Sequence, residues 1–317
     1  MTNQVLKRVL LASPRGFCAG VDRAIEIVRL ALETYGPPVY VFHEIVHNPY
    51  VVQELRDKGA VFVNDLSEVP QGSRTVYSAH GISPAVRAAA QEHALQVIDA
   101  TCPLVTKVHL EAVRFAQDGY FSILVGHKDH DEVVGTMGEV PGHITLVSNV
   151  AEAEAVQVPD ARQVALLTQT TLSVDDTREI MDVLRRRFPA LTFPPKEDIC
   201  YATQNRQSAV KELAAQSDLV LVLGASNSSN SQRLCEVALL SGVPAYLIND
   251  IDDLRPEWLK GVKTVGITSG ASTPEFLVQR AVDYFRALGA EEVRLLSTVE
   301  ERVHFVLPKE LQGILTN

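Results

Sequence analysis

The sequence has no CxxC pair among its four cysteines, and they lie far apart, at positions 18, 102, 200 and 235. Structural zinc sites draw on close cysteine pairs, so that class is disfavoured. Cysteines this sparse in a chain of 317 residues also make a poor disulfide framework. No apolar run approaches the ~18 residues of a membrane span. Lys7-Arg8 followed by residues 9–12 is too short for a signal-peptide core. Long basic runs and aromatic-interleaved patches are missing too. With 39 acidic against 29 basic residues and a net charge of −10, nucleic acid is not an expected partner. There is no flavin or nicotinamide fingerprint and no disordered linker. These absences leave a soluble, cytoplasmic chain whose 46% hydrophobic content fills ordinary cores.

What is present is a threefold repeat. Cys18, Cys102 and Cys200 stand 84 and 98 residues apart, each after an extended segment and before a helix-like run. The helical runs are 21–35, 106–117 and 205–216. A strand follows each, at 39–42, 121–125 and 219–223. Then come a polar loop, a second helix and a short strand at 60–63, 144–147 and 245–248. Third strands follow at 74–77, 164–167 and 264–267, with further helices at 84–93, 174–188 and 274–288. Strands alternating with helices predict βαβ units and mainly parallel sheets. The expected fold is α/β, with three small quasi-equivalent lobes (1–100, 101–198 and 199–296) around a central pseudo-threefold cavity. Residues 297–317 have no place in the repeat and are expected to pack as a tail on another lobe.

Ligands of open parallel sheets bind beyond the carboxyl ends of the strands. The loops there carry His43 to Asn48, Ser78 to Gly81, Gly126 to Glu132, Thr168 to Ser173, Ser226 to Ser231 and Ser269 to Thr273. On a common axis, these six loops and the three cysteines would face one cavity. Thiolates are favoured at helix N-termini. Three of them form a metal or iron–sulfur ligand set with one coordination position left over. Cys235, inside an amphipathic helix and without counterparts, reads as a buried hydrophobe. His47, His80 and His130 recur at strand ends and are functional candidates. His43 and His127 are candidate supporting residues, and His93, His109 and His143 fit ordinary surface positions. Residues 227–231 precede a helix and offer an anion-binding nest. Glu132 is either a first-turn carboxylate or a proton donor.

Several stretches together resemble the LytB-type 4-hydroxy-3-methylbut-2-enyl diphosphate reductases. They are residues 14–23, 78–81, 99–109, 168–176, 198–203, 227–231 and 270–272. The resemblance spans essentially the whole chain. It implies the last step of the methylerythritol phosphate route to isoprenoids. There an allylic alcohol diphosphate loses its hydroxyl as water, yielding isopentenyl and dimethylallyl diphosphate. By the same resemblance, Cys18, Cys102 and Cys200 hold a [4Fe–4S] cluster. His47, His80, Ser228, Asn230 and Ser272 match diphosphate-binding positions, with Ser229 beside them. His130, Glu132 and Thr170 match positions near the reacting hydroxyl. The implied electron donor is external, a ferredoxin or flavodoxin. The family's usual His-Pro-Glu is His130-Asp131-Glu132 here, which removes proline's fixed φ.

Two further readings use the same residues. One is a non-catalytic iron–sulfur or zinc sensor with a phosphate ligand. The other is a cysteine hydrolase with Cys102 as nucleophile and His80 as base.

Overall fold

The computed structural model describes residues 6–312. The outermost residues of the expected first lobe and tail, 1–5 and 313–317, lie outside the described residues. Among those described, the strands form three parallel sheets of five, four and three strands.

In the four-stranded sheet the order is β3 (Ala60–Val63), β2 (Val39–Phe42), β4 (Arg74–Tyr77) and β5 (Gln96–Asp99). In the three-stranded sheet it is β7 (Ile144–Val147), β6 (Phe121–Val125) and β8 (Val164–Thr168). The five-stranded sheet runs β10 (Ala245–Ile248), β9 (Leu219–Leu223), β11 (Thr264–Ser269), β1 (Arg8–Ser13) and β12 (Glu292–Ser297). β8, β9 and β11 are buried at every residue. That explains their unbroken apolar runs, because helices cover both faces. The register levels the strand ends. Phe42 pairs with Val63 and Tyr77, Val125 with Val147 and Thr168, and Leu223 with Ile248 and Ser269. The loops that follow therefore leave each sheet at one height.

β1 is the departure from the sequence division. It pairs with β11 and β12 and so completes the third repeat's sheet from the other end of the chain. β5 holds the matching place beside β4 and leads to Cys102. A single parallel bridge between Thr192 and Ala165 of β8 holds it on the way to Cys200. β12 lies beyond β1 as the fifth strand, at the sheet's edge. Composition explains the order. Val9, Leu10 and Ala12 of β1 are buried between two neighbours. Glu292 and Arg294 make β12 a charged, exposed edge.

The chain forms two compact units. One contains the residues up to Cys18, His47–Tyr50 and Tyr201–His304, and thus the five-stranded sheet. The other contains Ala19–Val46, Val51–Cys200 and the residues from Phe305 onward. In the first unit, α10 (Glu275–Ala287) buries Leu277, Val278, Ala281 and Phe285 on one sheet face. α8 (Tyr201–Ala214) and α9 (Ser229–Leu240) cover the other. In the second unit, α7 (Val174–Arg187) packs on one face of the three-stranded sheet. α4 (Pro103–Gln117) and α5 (Asp131–Glu139) pack on the other. α3 (Pro84–Glu92) covers the four-stranded sheet.

The tail divides between the two units. Thr298 is anchored to the Ser13 carbonyl at 3.0 Å in the first. In the second, the Val306 carbonyl accepts from Arg23 Nε at 2.7 Å, and Leu311 is fully buried.

Candidate functional site

The three cysteines occupy equivalent positions. Each directly precedes a helix: Cys18 before α1 (Ala19–Tyr35), Cys102 before α4 and Cys200 before α8. Each backbone N–H is fixed to the carbonyl two residues beyond the end of a strand, β11, β4 and β8 in turn. Cys18 donates to Ala271 at 3.3 Å, Cys102 to Ala79 at 2.9 Å and Cys200 to Thr170 at 3.0 Å. None of the four cysteines is in a disulfide, and all are partly buried. Cys102 is the N-cap of α4, yet its side chain makes no capping bond. A thiol held at a helix start and uncommitted to capping, as at Cys102, fits a thiolate ligand. Cys235 packs among the apolar side chains of α8 and α9, and burial pushes its thiol up.

In the second unit, Glu132 is the centre. It is 2% exposed on the first turn of α5. Its Oε1 accepts the Thr170 N–H at 2.6 Å, and its Oε2 lies 3.0 Å from Thr170 Oγ1. Burial pushes its carboxyl up to about 7. The two Thr170 contacts oppose the rise, and the charge of Asp198 adds to it. Thr170 thus joins the acid, through its N–H and hydroxyl, to Cys200, through its carbonyl.

His130 is the N-cap of α5, and its Nδ1 accepts the Glu132 N–H at 3.1 Å. That bond leaves the neutral ring's proton on Nε2. The ring stands edge-on to His80, with centroids 5.8 Å apart. Asp131 serves two histidines. His43 Nδ1 donates to its Oδ1 at 2.9 Å, and His80 Nδ1 lies 3.9 Å from its Oδ2. The bond to Asp131 raises the His43 pKa against partial burial.

His109, read from the sequence as a surface residue, is buried. Its Nδ1 lies 3.0 Å from Glu139 Oε1, and burial depresses its pKa. The ring fills the space between Gly81 and Gly135, where an added Cβ would lie 3.1 and 3.2 Å from its Cε1. It therefore spaces the His80 loop from α5. The glycine that closes the Ser-Ala-His-Gly loop was the available signal.

In the first unit, Ser228 is the N-cap of α9 and accepts from the Ser231 N–H at 3.4 Å. Ser229 and Asn230 follow it, buried. Both polar side-chain atoms of Asn230 are buried with no hydrogen-bond partner among the described residues, so its donor and acceptor are open to a ligand or water. Gly270 lets its loop approach. A Cβ there would lie 2.0 Å from Ser231 Oγ and 3.5 Å from Asn230 Nδ2. Ser272 Oγ donates to the His47 carbonyl at 3.0 Å. His47 is further fixed through its neighbours, since the Tyr50 hydroxyl donates to Asp250 Oδ2 at 2.6 Å. The same loop supplies the Ala271 carbonyl that holds Cys18. This unit therefore gathers Cys18, His47, Ser228, Ser229, Asn230 and Ser272. The other holds His80, Cys102, His130, Glu132, Thr170 and Cys200.

A family model described as "LytB protein" matches residues 9–286. A 4-hydroxy-3-methylbut-2-enyl diphosphate reductase of Mycolicibacterium paratuberculosis is 57% identical over 312 residues, covering 98% of this chain and 94% of the relative. One from Aromatoleum aromaticum is 56% identical over 306 residues, covering 96% and 98%. The solved structure of the E-1-hydroxy-2-methyl-but-2-enyl-4-diphosphate reductase from Plasmodium falciparum superposes with a TM-score of 0.95. It is 41% identical and covers 98% of each chain. No helix among the described residues is long and apolar enough to cross a membrane. Matches of this extent over nearly the full length show that the chain belongs to the LytB protein family.

Proposed function

We propose that this chain reduces 4-hydroxy-3-methylbut-2-enyl diphosphate to isopentenyl and dimethylallyl diphosphate, the final step of the methylerythritol phosphate pathway, in the cytoplasm. Two electrons and two protons enter, the C–O bond breaks, and the hydroxyl departs as water. Cys18, Cys102 and Cys200 would hold a [4Fe–4S] cluster, which, when bound, supplies the electrons and a Lewis-acidic iron. The electrons come from a ferredoxin or flavodoxin.

The observation that carries this reading is the Glu132–Thr170–Cys200 connection. Hydroxide is a poor leaving group, so a proton must meet the departing oxygen. A carboxyl with a pKa of about 7 is populated as the acid at neutral pH and still gives up its proton. Because Oε1 accepts the Thr170 N–H, the acid's proton resides on Oε2, beside the Thr170 hydroxyl. The hydroxyl donates to Oε2 when the carboxylate is ionised; when the acid is protonated, the hydroxyl rotates to accept from it and donates onward. The Nε2–H of His130 is a donor for a substrate oxygen. His47, His80, Ser228, Ser229, Asn230 and Ser272 bind the diphosphate through neutral donors and imidazoles, assisted by the N-terminus of α9.

Anaerobically purified protein tests the reading. The expected result is a brown protein with four irons and four sulfides per chain that turns over the substrate with a reduced dye. A colourless protein would support a zinc sensor or hydrolase, and a brown protein without turnover would support a sensor.

A further inference from the structure

Each helix that follows a ligand cysteine carries a cation five or six residues on, and that cation grips the backbone approaching another cysteine. Arg23, on the helix after Cys18, donates from Nη1 to the Thr101 carbonyl at 3.0 Å, one residue before Cys102. Lys107, on the helix after Cys102, donates to the Lys196 and Glu197 carbonyls at 2.7 and 3.2 Å. It also donates to Asp198 Oδ1 at 2.7 Å, just before Cys200. Arg206, on the helix after Cys200, donates to the Gly16 carbonyl at 2.8 and 3.2 Å and to the Phe17 carbonyl at 3.2 Å, just before Cys18. In sequence terms the order closes on itself: 18 to 102, 102 to 200, 200 to 18.

The first two cations find an acid in the same approach segment. Asp99 lines one groove with Arg23, and Asp198 pairs with Lys107. The segment before Cys18, Ser-Pro-Arg-Gly-Phe, holds no acid. Its cation is nevertheless the most buried of the three, fully excluded from solvent. The acid comes from the tail, where Glu301 accepts from Arg206 Nη1 at 3.0 and 3.2 Å. A buried guanidinium needs such a partner.

We infer that Arg206 is the positioning residue of the Cys18 loop, and that Glu301 of the C-terminal tail is there to complete that clamp. The tail, outside the repeat, thus replaces the acid that the first two repeats carry beside their own cysteines. The inference rests on the proposed reading insofar as Cys18 is a cluster ligand. The clamp itself is a property of the polypeptide.

The test measures the cysteines of the full-length, iron-free chain by iodoacetamide labelling and mass spectrometry, with hydrogen exchange over residues 16–18. In Arg206→Met and Glu301→Ala, Cys18 labelling and local exchange are expected to rise on the order of tenfold, the scale of losing a buried charged hydrogen-bond partner. Cys102 and Cys200 are internal standards and should hold the parent rate. Arg206→Lys, which keeps the charge, should recover part of the protection. In the reconstituted protein the same variants should lose iron faster to a chelator and alter the cluster's paramagnetic spectrum. Unchanged Cys18 labelling, or all three cysteines rising together, would overturn the inference. If Arg206→Met does not fold, Glu301→Ala decides. If the parent chain takes up no iron, the proposed activity falls while the labelling result still judges the clamp.

Discussion

Asp131 Oδ1 holds His43 Nδ1 at 2.9 Å, and His43 itself has a left-handed backbone with φ of 62°. The Asp131 carboxylate therefore anchors a loop of the four-stranded sheet. Because the folded pKa of His43 is raised, the pair stabilises the fold fully below the ordinary histidine value of 6.5. That contribution is lost as pH rises through the raised value. Asp131→Asn is expected to lower Tm at pH 6 and to do so much less at pH 9. Thermal unfolding of parent and variant at the two pH values checks it, and an equal loss at both would remove the charge from the explanation.

Much of this was legible in the sequence, because period and chemistry coincide there. Alternating strands and helices gave the parallel sheets, and motif spacing singled out the cysteines and loop residues. The place of β1 was not legible. Its apolar run fits any buried strand, and only three-dimensional pairing with β11 and β12 reveals its sheet. The burial of His109 is not legible on its own helix; Gly81, far off in sequence, is the one hint of the ring it makes room for. Arg206 gave no sign either, since Glu301, Gly16 and Phe17, which it holds, lie 95 to 190 residues away.

Cys18→Ser, Cys102→Ser and Cys200→Ser are each expected to strip or gravely destabilise the cluster and abolish turnover. Cys235→Ser should retain full iron, since that thiol packs among apolar side chains and is disfavoured as a thiolate by burial. Iron and sulfide assays on the four variants check this. Iron loss in Cys235→Ser matching the others would break the three-ligand assignment.

Gly81→Ala places a methyl 3.1 Å from the His109 ring and 3.2 Å from Val105, at a φ of 81°. A buried ring fixed by Glu139 has little room to retreat. The left-handed backbone alone costs an alanine roughly 1–2 kcal/mol. The loop must shift, and His80 with it. The expected outcome is a Tm several degrees lower and a KM raised more than kcat is lowered, because His80 is proposed to bind the substrate and not to supply the proton. Steady-state kinetics and calorimetry decide. A kcat collapse at unchanged KM would reassign His80 to the chemistry.

Glu132→Gln separates acid catalysis from binding and stability in one variant. Glutamine keeps the shape, and its carbonyl still accepts the Thr170 N–H, so cluster content should be normal. Substrate affinity should stay within roughly tenfold, because the residues proposed to bind the diphosphate are others. Turnover should fall by on the order of 10²-fold or more, the usual loss of a general acid. Stability should move the other way. The folded carboxyl titrates at about 7 against 4.5 for an ordinary one. Both states are protonated below the lower value, and between the two only the unfolded chain ionises, so the parent loses stability as pH rises through that window. Above it the loss is complete. A tenfold change in proton affinity corresponds to about 1.4 kcal/mol, which sets the effect at a few kcal/mol. The iron-free variant should therefore unfold at a higher temperature than the parent at pH 8 and at nearly the same temperature at pH 5. A variant with normal turnover would transfer the acid role to His130 or to the substrate's own phosphate. One with lost turnover but no stabilisation at pH 8 would mean that Glu132 is ionised in the folded protein and cannot be the proton store.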